Sequence, residues 1–212
     1  MIFNKGRLFN RYHIFMKNYS DIKPLRYKTL RGISEKTLEI HYGKLYVGYV
    51  NKYKEIQERL KMVDISKANA SFSDYRAMKL EEGFTADAVL LHEAYFDILG
   101  GDGTPRGGVV EKIKTDFGSY ENWEKELKAL SLASRGWALT VYDFNDGKLH
   151  NYIADIHNQG GIWGTLPIVV VDVYEHAYFI DYGSDRAKYL EALFSNFDWS
   201  VIDKKYQKTI SS

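Results

Sequence analysis

Asp172 and His176 stand four residues apart directly after the apolar run Pro167-Ile168-Val169-Val170-Val171. Side chains at i and i+4 lie on one face of a helical turn, so a carboxylate and an imidazole in that relation can reach one metal ion. The apolar run reads as a buried β-strand that would deliver the pair into the interior. A carboxylate there needs a cation or hydrogen-bond donors, because burying it alone costs several kcal/mol. Two readings fit this segment taken alone: metal ligation, and a structural ion pair at a helix start.

Six histidines occur, His13, His41, His92, His150, His157 and His176. His41 and His92 fall on the apolar stripes of two helical patterns, where imidazoles are uncommon. For any one such residue the simplest account is a core histidine bonded to backbone. Together with a buried Asp172 and His176 they suggest convergence between two halves of the chain, where a site belongs when elements from both face each other. Three neutral imidazoles and one carboxylate suit iron or manganese at least as well as zinc, and leave room for solvent.

The elements that must position these residues are legible as patterns. Ser34 can cap a helix start, with Glu35 in its first turn. Leu38, Leu45, Tyr49, Tyr53, Ile56 and Leu60 then recur as one long amphipathic helix of about 25 residues, with His41 on its buried stripe. A second helix runs from about Ser73 to Leu99, its inward face including Ala88, His92, Tyr95, Phe96 and Leu99, and the two form an antiparallel hairpin. The glycine cluster over 100–108 is the clearest breaker. Short helices at 109–116 and 120–133 follow. Two strands, 137–142 and 148–153, join through Asn145-Asp146-Gly147, and a third ends at Val171. Helices at 184–194 and 200–208 close an α+β half. The expected organisation is therefore an extension over 1–23, a helical hairpin domain over 24–99, a linker over 100–108 and an α+β domain over 109–212.

Composition narrows the function. At 212 residues with 45% hydrophobic content the chain can bury a sizeable core, and a net charge of +1 gives no nucleic-acid-wrapping surface. The absence of cysteine removes disulfides, thiolate metal sites and thiol nucleophiles, leaves His, Asp and Glu as ligands, and fits a cytoplasmic setting. No apolar run approaches the roughly 20 residues that span a bilayer. Lys5, Arg7, Arg11 and Lys17 precede the first acid, Asp21, in a stretch interspersed with aromatics. Organellar targeting segments share that look, but no long apolar core or small-residue cleavage site is present, so the stretch reads as an extension lying on the surface or partly disordered.

The segment 30–44 around His41, then Gly48-Tyr49-Val50-Asn51, Ser134-Arg135-Gly136-Trp137-Ala138 and Asp172-Val173-Tyr174-Glu175-His176-Ala177-Tyr178, closely resemble the iron/manganese superoxide dismutase family, in its order and at its spacings. The resemblance runs from about residue 24 to 207. It implies a helical hairpin domain, an α+β domain with a three-stranded antiparallel sheet, and one Fe or Mn ion per subunit held between them by His41, His92, Asp172 and His176. Superoxide is the implied substrate. Tyr49 matches the substrate-channel tyrosine, and Trp137, Phe96 and Tyr174 match positions that wall the pocket, the last two usually Trp. Glu175, His176 and Tyr178 match positions through which subunits join as a homodimer, with a homotetramer as the alternative. Lys44 and Arg186 are candidates for steering the anion.

Departures from the family pattern also carry expectations. Leu45 stands where most members have a channel histidine, and Phe179 where most have the tyrosine that bonds it across the interface, so both halves of one hydrogen bond are replaced together. That puts in doubt the usual proton-relay route. Tyr46 replaces a second common histidine and needs no role beyond packing. Ala88 cannot act as the outer-sphere donor to solvent held at the metal, which leaves His157, with Gln159 as competitor. Two rival functions remain: a catalytically poor metal-binding relative, and a metal-dependent hydrolase, the latter without an evident general base because Glu93 and Glu175 point away from the ligands beside them.

Overall fold

The structure, a computed structural model, describes residues 18–211. Lys5, Arg7, Arg11 and Lys17 of the expected extension, and His13, lie outside the described residues. Ser34 and Ser73 start the two long helices, their hydroxyl oxygens accepting the backbone N–H groups of Thr37 and Arg76 and so satisfying a donor that the helix itself cannot. The expected single first helix is three continuous segments, α1 (Glu35–Leu38), a π-helical stretch (Glu39–Tyr46) and α2 (Val47–Leu60). It packs against α3 (Asp74–Asp97), with contacts Gln57–Glu82, Tyr49–His92 and Tyr46–Phe96 running in opposite sequence directions. The hairpin is therefore antiparallel.

The π-helical stretch has a geometric consequence. Eight residues of regular α-helix overshoot two turns by about 80°, which would turn Tyr49 away from His41. The wider turn absorbs the overshoot. Both rings face the His92 ring, His41 at a centroid distance of 5.2 Å and Tyr49 at 5.4 Å.

After α3 the glycine-rich stretch is tied to the far end of the chain: Gly101 N–H donates to Asn196 O and Gly103 N–H to Phe197 O. A side chain at Gly101 would bring its Cβ to 2.4 Å from Phe197 O, so only glycine fits there. Helices α4 (Gly108–Phe117) and α5 (Tyr120–Ala133) lead into an antiparallel sheet of β1 (Trp137–Asp143), β2 (Lys148–Ala154) and β3 (Thr165–Asp172), in the order β2-β1-β3. The buried β3 residues Ile168, Val169, Val170 and Val171 anchor the core; each buried aliphatic side chain of this kind contributes about 1.5–3 kcal/mol. Thr140 Oγ1 accepts from the Trp123 indole N–H and donates to Asn151 Oδ1, pinning α5 across the sheet.

Two boundaries differ from the sequence reading. Asp172 ends β3 rather than opening a helical turn, and a single 3-10 turn, Glu175–Ala177, carries His176. The Asp172–His176 proximity therefore arises from a strand end followed by a tight bend, in which Tyr174 N–H donates to Asp172 Oδ1 at 2.9 Å. Beyond it, a short α6 (Phe179–Tyr182) that the sequence reading lacked precedes α7 (Arg186–Ser195), the helix expected over 184–194, and α8 (Trp199–Ile210) follows. Asp185 and Asp198 cap α7 and α8. No helix among the described residues is long and apolar enough to cross a membrane.

Candidate metal centre

Four elements deliver one side chain each to a single point: the π-helical stretch His41, α3 His92, the end of β3 Asp172, and the 3-10 turn His176. Asp172 Oδ2 lies 3.0 Å from His41 Nε2, 3.2 Å from His176 Nε2 and 3.8 Å from His92 Nε2. One ligand atom from each of the four lies within 4.8 Å of the others. Atoms bound about 2.0–2.2 Å from one ion stand about 3–4 Å apart, so the donor set fits a metal.

The protons of His92 make the fit more specific. Its Nδ1 lies 2.7 Å from Ala88 O, and a carbonyl can only accept, so Nδ1 carries the hydrogen. Burial pushes the His92 pKa down to about 3, so the ring is neutral near pH 7 and Nε2 is a bare lone pair. That lone pair is fully buried, has no hydrogen-bond partner, and faces a carboxylate oxygen that can only accept. Two acceptors aimed at one point call for a cation between them.

The other three side chains of the cluster are subject to opposing effects. Burial lowers the His41 pKa despite the Asp172 hydrogen bond. Burial also works against a charged His176, but the Asp172 charge and hydrogen bond prevail and raise its pKa. Asp172 is fully buried, yet the charge and hydrogen bond of His176, with those of His41, hold it below the ordinary carboxylate range. Its backbone is also fixed, because Tyr189 Oη–H donates to Asp172 O at 2.8 Å and stands 3.2 Å from Tyr95 Oη. Sequence reasoning gave Tyr189 and Tyr95 no role at the site. The signal was available in a tyrosine on a buried helix face, whose hydroxyl must find a partner.

A second chain of hydrogen bonds runs from the sheet to the helical hairpin. Trp137 Nε1–H, which can only donate, reaches His157 Nδ1 at 3.0 Å, and His157 Nε2 lies 3.0 Å from Tyr49 Oη. Nδ1 is therefore the acceptor and Nε2 carries the hydrogen, which it donates to Tyr49 Oη. Burial lowers the His157 pKa to about 4 and keeps this tautomer neutral. Gln159 is exposed. Aromatic rings close the pocket: Phe96 against His41 at 4.9 Å, Trp137 against His92 at 5.0 Å and Tyr174 stacked on His176 at 5.3 Å.

The remaining candidates fall into place around this centre. Tyr46 does more than pack: its hydroxyl accepts from Lys23 N–H and donates to the buried Glu93. Lys44 is exposed. Arg186 is engaged by the backbone carbonyls of Ser131, Leu132 and Ser134 and by Tyr178 Oη, which leaves it poorly placed to steer an anion. A second His/Asp group, Asp143, Asp146 and His150, lies at the β1–β2 hairpin. There His150 Nε2 is 2.9 Å from Asp146 Oδ2, and Asp143 Oδ1 accepts from Asn145, so the group already satisfies itself.

Comparison with known proteins places this geometry. Residues 105–205 match the family described as iron/manganese superoxide dismutases, C-terminal domain. The protein named superoxide dismutase (Fe) of Aquifex aeolicus is 41% identical over 193 residues, 89% of this chain and 91% of that protein. Superoxide dismutase (Mn) 1 of Halobacterium salinarum is 35% identical over 179 residues, 83% of this chain and 88% of that protein. On this likeness over most of its length, with a cluster of three histidines and an aspartate that could hold a metal ion formed where the two helices meet the sheet, the chain belongs to the iron/manganese superoxide dismutase family.

Proposed function

We propose that this protein disproportionates superoxide to dioxygen and hydrogen peroxide with one Fe or Mn ion held by His41, His92, Asp172 and His176. The observation that carries the reading is the bare, buried His92 Nε2 directed at Asp172 Oδ2. When bound, the ion supplies one-electron chemistry, cycling between trivalent and divalent states. The chain supplies geometry and protons. The ligands come from four separate elements, so packing on all sides holds their positions as the charge of the site changes.

Peroxide formation needs protons, and Tyr49 is the group placed to hold one. Its oxygen accepts from His157 Nε2–H, which leaves its own hydrogen free to be donated. Burial, with the Asp172 charge, raises its pKa and keeps that hydrogen in place at neutral pH. His157 acts as the outer-sphere residue that positions Tyr49 by donating its one N–H to the Tyr49 oxygen, and Trp137 fixes its tautomer. The aromatic walls limit the pocket to a small substrate.

A homodimer through Glu175, His176 and Tyr178 belongs to the same proposal, with a tetramer as the alternative. In one protomer Glu175 is exposed beside the partly open His176, and the adjacent Phe179 and Ile180 are 53% and 47% exposed. An exposed apolar pair next to a metal ligand suits an interface, and Glu175 would there accept from the partner subunit's His176. Division into domains 24–99 and 109–212, with the site between them, and a cytoplasmic setting for a cysteine-free chain complete the reading.

The hydrolase reading is not favoured, since Glu93 is bonded to Tyr46 and Glu175 faces outward. A metal-binding relative of low activity is the second reading, motivated by Leu45 and Phe179. Metal analysis with superoxide-consumption assays on Fe-loaded and Mn-loaded protein separates the two. Alanine at any of the four ligands should remove metal and activity together; full metal occupancy in two of these variants overturns the assignment.

A further inference from the structure

Away from the metal centre, a groove of about 280 Å³ opens between α3 and the sheet, close to the lower end of the range, about 300–1,000 Å³, that organic ligands occupy. Its floor follows from the strand register. Leu139 and Val141 stand two residues apart on β1 and Tyr152 lies opposite Leu139 on β2, so the three share one face of the sheet. Leu91 on α3 closes the other side, and Asp87 stands one turn before it on the same helix face.

This apolar groove carries one full charge. Leu91, Leu139 and Val141 are buried, no Lys or Arg lines the groove, and Asp87 is the single carboxylate among its lining residues. Asp87 is half-buried and makes no hydrogen bond or ion pair among the described residues. Burial raises its pKa, as it does for a carboxylate that has lost water and gained no donor. At the rim, the Trp163 indole is 96% exposed, yet its backbone is fixed. Asn145 Nδ2–H donates to Trp163 O at 3.0 Å, Phe144 N–H to Gly164 O at 2.9 Å and Thr165 Oγ1–H to Ile162 O at 2.8 Å. An indole held in solvent beside an apolar groove is ready to cover an occupant without further ordering.

We propose that this groove binds a small aromatic ammonium ion. The ammonium pairs with Asp87, the ring enters the floor of Leu91, Leu139 and Val141, and the Trp163 π-face covers it from the rim. Charge selects the class: a neutral ring leaves Asp87 unpaired, an anion is repelled by it, and an inorganic cation gains nothing from the apolar floor. Groove-to-groove contact with a second copy brings no cation to Asp87.

Fluorescence titration of the full chain with 2-phenylethylammonium tests this, because Trp123, Trp137 and Trp199 are buried and Trp163 alone of the four is open. The expected result is a saturable change in emission at one ligand per chain. It should be absent in Trp163→Ala, where binding read by calorimetry weakens about two- to fivefold. Neutral 2-phenylethanol, with the same ring and chain length, should bind the wild type about tenfold or more weakly, as expected for one lost charge-assisted hydrogen bond. Asp87→Asn, which removes a half-buried charge and keeps the shape, should reduce the amine to the level of the alcohol and leave the alcohol unchanged. No saturable response of the wild-type chain to the amine, or equal affinity for the alcohol, overturns the proposal whatever the variants do. So does undiminished binding of the amine by Asp87→Asn. Trp163 emission that shifts with protein concentration and does not respond to the amine also overturns it, and assigns the groove to a second copy.

Discussion

Replacing His92 by Leu separates a metal ligand from a core histidine, because the two roles predict opposite effects on the metal-free protein. In that state His92 Nε2 is a buried acceptor with no donor, 3.8 Å from another acceptor, an arrangement that costs about 1–3 kcal/mol. Leu removes it and gives up only the Nδ1–H bond to Ala88 O, about 0.5–1.5 kcal/mol. The metal-free variant should thus range from about 0.5 kcal/mol less stable to about 2.5 kcal/mol more stable, a change in Tm from a fall of about 2 °C to a rise of about 10 °C for a chain of this size. Metal-loaded protein behaves in the opposite way. An ion present at about a thousand times its Kd stabilises the native state by about 4 kcal/mol, or about 8–16 °C, and the variant should lose this gain. Scanning calorimetry of wild type and variant, each chelated and then loaded with Fe or Mn, measures both arms. A chelated variant melting several degrees below chelated wild type would make His92 a structural residue, and a variant retaining the full metal-induced rise would remove it from the ligand set.

Tyr49→Phe should retain metal but lower turnover, and because it leaves His157 Nε2–H without its acceptor it should cost about 1–3 kcal/mol of stability; an unchanged rate in a stopped-flow superoxide assay would exclude Tyr49 as proton donor. Trp137→Phe should free His157 Nδ1, so that proton NMR of the chelated protein reports a mixture of His157 tautomers where wild type gives one; a single unchanged tautomer would show that Trp137 does not set it. In metal-free protein, His92 and His157 have pKa values lowered from 6.5 to about 3 and about 4, so between about pH 6.5 and 4 the unfolded chain binds more protons and stability falls on acidification, by up to about 1.4 kcal/mol per pH unit for each. His176, with its raised pKa, already makes its full contribution below pH 6.5, so it does not cancel the loss, and a flat urea midpoint across this window would contradict the assigned burial of both rings. Glu175→Ala should weaken the proposed dimer without removing a proposed ligand, and undiminished association by light scattering would exclude Glu175 from the interface.

What the sequence by itself determined is local in origin. Apolar periodicity marked both long helices, Ser34 and Ser73 announced their starts, and Asn145-Asp146-Gly147 announced the hairpin, with Gly147 at φ 71°. Types and spacing of His41, His92, Asp172 and His176 marked them as candidates, because imidazoles and a carboxylate on apolar patterns need a partner wherever they finish. Only the tertiary structure brought the four side chains to one point. The phase of Tyr49 against His41 depends on a π-helical stretch that a 3.6-residue periodicity cannot register. Asp172 and His176 meet through a strand end and a 3-10 turn, not along a helix face. The choice of His157 over Gln159 as the group bonded to Tyr49 rests on Trp137, 20 residues away in sequence. The roles of Tyr189 and Tyr95 are fixed by contacts across 17 and 94 positions. Hydrogen-bond direction and lone-pair placement depend on which atoms converge in space, and that convergence is set by packing between elements that carry no record of one another in their local sequence.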